Sequence, residues 1–228
     1  HYYHLYFQLV SSLNILIAIF FIVTIIACID KTNAPDVSGV KVDLKVERFE
    51  QDFFGIDSNN TKAGLAQVQQ KYPQFLPLFV NHVLGLGPLV DSNFLVYDGS
   101  KRFLHLNQPV YEASQKLYKN FNSTAEELTN GFRYVKHYFP TYQIPTIITT
   151  VGPMDALAPM SNNEPSPNYL GENFLAIGLQ FYLGKDYSIY KDPGYISSIA
   201  PQYRSRRFSK EFIATDVFTL VIDDLYPD

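Results

Sequence analysis

Tryptophan is absent from the 228 residues, methionine occurs twice and cysteine once. A single thiol, Cys28, cannot close an internal disulfide and is too few for a thiolate metal site. Basic excess is also missing. Eighteen Lys and Arg stand against 22 Asp and Glu, a net charge of −4, which argues against a nucleic-acid-binding surface. The chain has no GxSxG elbow, no P-loop and no GxGxxG turn, so the common signatures of acyl transfer, phosphate cradling and dinucleotide binding are lacking. Charge is missing altogether from residues 1–27.

What is present begins with those 27 residues. Leu13 to Ala27 form an uninterrupted apolar core of 15 residues, stopped by Cys28-Ile29-Asp30-Lys31. That is the length of a signal-peptide core and shorter than the roughly 20 residues that span a bilayer. The boundary Ile25-Ile26-Ala27-Cys28 has the form of a bacterial lipobox: aliphatic residues, a small residue, then cysteine. The small residue lets a peptidase grip extended backbone, and the thiol receives a diacylglycerol. An uncleaved transmembrane anchor is the alternative, since counting Leu5 to Val10 lengthens the run to a full span. The lipoprotein reading is preferred because the sole cysteine sits where a lipobox needs it. It divides the chain into a leader (1–27), a tether (28–39) and a globular part (40–228). The ends at His1 and Asp228 read as those of a fragment, with the leader's basic region and the C-terminus of the globular part missing.

Beyond the tether, Val40, Val42, Leu44 and Val46 alternate with charged residues and predict a half-buried strand. Leu65, Val68, Tyr72 and Phe75 have helical spacing, limited by Pro73 and Pro77. Val110, Ser114, Leu117 and Phe121 predict a helix with Pro109 near its start. Leu128, Phe132, Val135 and Phe139 predict another, ended by Pro140. Thr146 to Val151 is a β-branched strand, and the alternation in Phe174 to Leu183 predicts a second. A Pro/Asn-rich loop, Pro159 to Asn168, separates them. The last segment starts at Ser209, a plausible N-cap, and runs to Leu225 with Ile213, Val217 and Leu220 on one face. The expected class is α+β: a helix-rich single domain with a small sheet.

Candidate chemistry is sparse. His82, His105 and His137 are far apart, and none has a second ligand at helical spacing. The latter two are expected to be partly buried rings. No metal ligands, cofactor or catalytic residues are assigned. Arg204, Arg206 and Arg207 form the sharpest basic cluster and are candidates for contacting an anion or a partner. The alternative is a solvated run paired with Asp186, Asp192 or Glu211. Tyr187, Tyr190, Tyr195 and Tyr203 are either an aromatic contact surface or the semi-buried lining of an irregular loop.

Several segments together resemble the GldB gliding-motility lipoproteins of Bacteroidetes. They are Val37 to Asp52, Lys71-Tyr72-Pro73-Gln74-Phe75, Phe132 to Pro140, Ala176 to Gly184 and Pro201 to Phe208. Gln180 departs from the pattern, where Asp is expected. The resemblance implies a non-enzymatic lipoprotein of the cell envelope, anchored to a membrane through Cys28 and facing the periplasm. It also implies contacts with other gliding proteins and with the associated secretion machinery. The family's order of strands and helix is similar to that of zincin-like metalloproteases, yet Glu211 to Leu225 contains no His. A zincin-like scaffold without the HExxH metal site is therefore expected. Two other readings stay open: an envelope metal-dependent hydrolase with ligands in a missing C-terminus, and a lipid- or glycan-binding module using the Tyr-rich stretch and the three arginines.

Overall fold

Parallel pairing over a long sequence distance organises the molecule. The computed structural model describes residues 34–90, 92–158 and 165–226. Strand β1 (Val46–Arg48) pairs in parallel with β2 (Thr146–Thr150), placing Val46 opposite Ile147. A parallel pair needs a crossover, and here the described residues of the crossover contain five α-helices. These are α1 (Phe49–Phe54), α2 (Thr61–Lys71), α3 (Phe75–Leu78), α4 (Phe94–Tyr118) and α5 (Asn122–Tyr138). Strand β4 (Phe174–Gly178) adds in parallel on the other side of β2, and β3 (Asn168–Leu170) closes that edge antiparallel. The sheet order is β1-β2-β4-β3. Short helices α6 (Pro193–Ser198) and α7 (Gln202–Ser205) follow, and α8 (Ile213–Leu225) ends the described chain. The molecule is helix-rich with one small mixed sheet, which makes it α+β as expected.

The sheet separates two apolar clusters, because successive strand residues face opposite ways. Ile148, Phe174 and Ala176 face one way and meet Phe49, Phe53, Phe75, Phe79 and Phe103 from α1, α3, the turn after α3 and α4. Ile147, Leu175 and Ile177 face the other way and meet Tyr118, Phe132, Tyr182, Tyr190 and Val217. With helices on both faces, all five residues of β4 are buried.

Four expectations need correction. The alternation from Val40 forms a ladder only from Val46, because β2 has five residues and offers nothing upstream to pair with. Val42 and Leu44 still pack against the core. The alternation of Phe174 to Leu183 breaks at Gly178, and Leu179–Phe181 turn into a 3₁₀ helix. The carbonyl of Pro167 lies 2.6 Å from where a Cβ on residue 178 would stand, so only glycine fits there. The loop read between these strands ends in β3, too short to show a period of two. Pro109 lies inside a 25-residue helix rather than at its start. Proline removes one backbone bond, while Val96, Phe103, Val110 and Tyr118 bury one side of the helix along its length.

A buried ion pair clamps the sheet to its helices. Glu50, fully buried, receives Arg48 Nε at 2.8 Å and Thr149 Oγ1 at 2.5 Å. Arg48 Nη2 also donates to the carbonyl of Tyr118 at 2.8 Å. Both carboxylate oxygens have partners, which is what lets a charge stay buried.

Candidate functional site

The C-terminal ends of parallel strands leave a crevice, the place where open sheets with helices on both faces commonly hold ligands. Beyond β2 and β4 lies a cavity of about 390 Å³. Thr150 at the end of β2 and Gly152 just after it enter the cavity, as do Gly178 at the end of β4, Gln180 from the 3₁₀ turn that follows, and Asn168 and Tyr169 from β3. The opposite wall is Phe75, Leu78, Phe79, His82 and Val83. Residues 79–83 form a π-helical turn, an irregularity frequent at functional sites. Gly85 and Gly87 follow with φ of +64° and +82°, a backbone that favours glycine. The exposed residues His82 and Tyr169 stand where the cavity meets solvent.

Three side-chain oxygens in this lining lack a hydrogen-bond partner among the described residues: Thr150 Oγ1, Asn168 Oδ1 and Gln180 Oε1. The residues are 8, 2 and 2 % exposed. A bonding chain fixes the orientation of Asn168. Tyr182 Oη lies 3.0 Å from Asp216 Oδ2 and donates to it, so it can only accept from Asn168 Nδ2, at 2.9 Å. The Asn168 oxygen is left unpaired. Burial raises the Asp216 carboxyl above its ordinary range, while the bonds from Tyr182 and Arg207 pull it back down. Burial, and then the neighbouring Asp216 charge, hold the Tyr182 hydroxyl well above the usual tyrosine range.

Arg207 stands at the outer end of this chain. Its Nη2 meets Asp216 Oδ1 at 2.7 Å, and its guanidinium lies 5.1 Å from the Phe212 ring centre. The acids expected to pair with the basic run are placed elsewhere: Asp186 binds Lys191, and Asp192 caps α6. Arg206 is exposed and Arg204 half-buried, at the end of α7. Cys28 and the leader lie outside the described residues. His105 and His137 are exposed, against expectation, since both stand on solvent-facing sides of α4 and α5. Among the described residues no three His, Cys, Asp or Glu side chains gather as metal ligands would.

The Tyr-rich stretch is mainly core. Tyr190 and Tyr195 are 1 % and 8 % exposed, whereas Tyr203 is 68 % exposed. Tyr190 Oη donates to the carbonyl of Gln180, and Tyr195 Oη to that of Met154 at 3.0 Å. Tyr190 thus anchors the backbone of a cavity residue. The sequence reading missed the cavity. Its one sequence signal is Gln180, an amide inside an otherwise apolar run from Phe174 to Leu183.

No curated protein and no solved structure matches the chain. The family model described as gliding motility protein GldB matches residues 30–228. That span contains both clusters, the buried Arg48–Glu50 pair and the cavity, and on it the chain belongs to the GldB family of gliding-motility lipoproteins.

Proposed function

We propose that this protein is a non-enzymatic component of a gliding apparatus, held at a membrane by a lipidated Cys28 and working through contacts with other envelope proteins. The observation that carries the reading is the family match across residues 30–228. The leader would end at Ala27, residues 28–39 would serve as a tether, and the globular part would face the periplasm. Its partners would include proteins of the associated secretion machinery.

One surface feature favours contact over catalysis. Leu95, Leu106 and Leu117 on α4 are 71, 62 and 48 % exposed. Their spacing of 11 residues is close to three helical turns, so they lie on one side of the helix, with exposed Asp98 and Arg102 between the first two. Single exposed leucines are ordinary, but three on one side of a helix, with Phe94 (77 % exposed) beside the first and charged residues between, suit a partner protein's mixed surface.

The anchor is tested by metabolic labelling with palmitate. Wild type is expected to take up label and Cys28→Ser to remain unlabelled; label on the variant would remove the anchor. The function is tested by deleting the gene. Loss of surface spreading and of protein secretion is expected, and normal spreading with normal secretion would overturn the reading. A Leu95→Lys, Leu106→Lys double variant is expected to stay folded and membrane-bound while spreading is lost.

A further inference from the structure

The cavity beyond β2 and β4 has features that membrane anchoring and the exposed leucines of α4 leave unused. Its walls are mostly apolar, with Phe75, Phe79 and Ala176 among them, and among the described residues no Asp, Glu, Lys or Arg borders it. Its polar lining residues are Thr150, Asn168 and Gln180, each with a buried side-chain oxygen unpaired among the described residues, and His82 and Tyr169 at the mouth. Leaving a buried acceptor unpaired costs about 1–3 kcal/mol, so three in one place form a built, unsatisfied site. Water alone suits it poorly. A volume near 390 Å³ has room for on the order of ten waters, and apolar walls give most of them nothing to bind.

We infer that this cavity binds a small neutral molecule with an apolar body and a hydrogen-bond-donating head, an amide or an alcohol. Each element of the class has its own cause. Asn168 is held as an acceptor by Tyr182, whose own proton goes to Asp216. A carboxylate or phosphate would lose hydration with no Lys or Arg of the described lining to pair with it, and it would face the Asn168 oxygen, which only accepts. An ammonium would lose hydration with no carboxylate to replace it. A neutral N–H or O–H donor satisfies the oxygens while its hydrocarbon part displaces the remaining water. The volume matches the lower end of small-molecule sites. Tyr190, bonded to the carbonyl of Gln180, and Arg207, through Asp216 and Tyr182, are positioning residues for this site.

The test uses full-length protein in detergent with two probes of one shape, 4-phenylbutanamide and 4-phenylbutanoate, followed by ligand-observed NMR and calorimetry. The amide is expected to bind saturably and the carboxylate at least about tenfold more weakly, since its charge loses hydration with no Lys or Arg of the described lining to pair with it. Gln180→Leu, which removes one acceptor, is expected to weaken amide binding about three- to tenfold. Ala156→Phe, at a wall position outside the buried core, is expected to abolish it, and it decides the matter if the Gln180 variant fails to fold. Equal binding of the two probes, no saturable binding of the amide, or amide binding unchanged in Ala156→Phe would each overturn the inference. Loss of gliding or lipidation has no bearing on these readouts.

Discussion

The two apolar clusters on either side of the sheet solve the same packing problem with different chemistry. On one side Phe49 meets Phe53, Tyr72, Phe75 and Phe79 with ring centres 4.8–5.3 Å apart, three of the four edge-on. Burial and ring geometry supply the energy there, and the contacts carry little direction. On the other side Tyr118, Tyr182, Tyr190 and Tyr195 stand among Phe121, Phe132, Phe181 and Phe208, and each of the four hydroxyls has a partner. Tyr118 Oη reaches the carbonyl of Tyr182 at 2.6 Å, and Tyr182 reaches Asp216. Tyr190 and Tyr195 reach the carbonyls of Gln180 and Met154. Those carbonyls lie in the 3₁₀ turn and loops after β2 and β4, outside the strand ladders. The tyrosines do the work that secondary structure does elsewhere, so this side is specified by direction and the other by volume.

The contrast sets an order of expected effects. Phe49→Ala should be most costly, about 3–5 kcal/mol in urea unfolding, because four rings border the cavity it leaves. A loss under about 1 kcal/mol would mean that this side is not held by volume. Tyr182→Phe keeps the volume and should still cost about 1–3 kcal/mol, since Asp216 and Asn168 both lose a buried partner. A neutral result would end the claim that direction matters on the tyrosine side.

Alkali should act mainly on that second side. Burial raises the hydroxyl pKa of Tyr118, Tyr182, Tyr190 and Tyr195 above the ordinary value of 10. Above about pH 10 the unfolded chain loses protons that the native chain keeps, so stability must fall as pH rises further. Urea midpoints between about pH 9 and 11 should show this, with a shallower slope in Tyr190→Phe. A slope unchanged by that substitution would shift the effect to Tyr72, whose hydroxyl burial and Asp52 also raise.

The smallest expected effect is at acid pH. Asp216 is raised in the native state, chiefly by burial, above its ordinary 3.8. Through the window from about 3.8 up to the raised value the native chain holds a proton that the unfolded chain has released. This group's contribution to stability therefore falls as pH rises through the window. Asp216→Asn should remove that component, seen as a relative gain for the variant between pH 4 and neutrality when compared with its value near pH 3 (bounds about one unit either way). A variant whose loss of stability grows as pH rises would show that the Tyr182 and Arg207 bonds outweigh the burial cost.

Periodic elements were legible in the sequence and non-periodic ones were not. Leu128, Phe132 and Val135 marked α5 closely, and Thr146 to Val151 marked β2, because burial on one face or two writes a repeat into the chain. The first half of α4 was missed: Pro109 reads as a helix start, yet the helix begins 15 residues earlier at Phe94. β3 has three residues, fewer than a repeat needs. The cavity was illegible for a different reason. Thr150, Asn168 and Gln180 come from three strands or their ends, and their shared property is an unpaired oxygen, which no spacing encodes. Arg207 was flagged for the charge of its neighbours, but its partner Asp216 is set by the turn between α7 and α8.

The pairing of β1 with β2 also has a meaning in time. Arg48 and Thr149 touch across 101 positions of sequence, so the first strand is made long before its neighbour exists. Until about residue 178 has emerged, Phe49, Phe53, Phe75 and Phe79 have one another but no sheet to lie against. Such distant contacts slow folding and leave apolar rings exposed in the interval. A chain halted near residue 145 should thus be a client for chaperones, and adding the last strands should release it in one cooperative step.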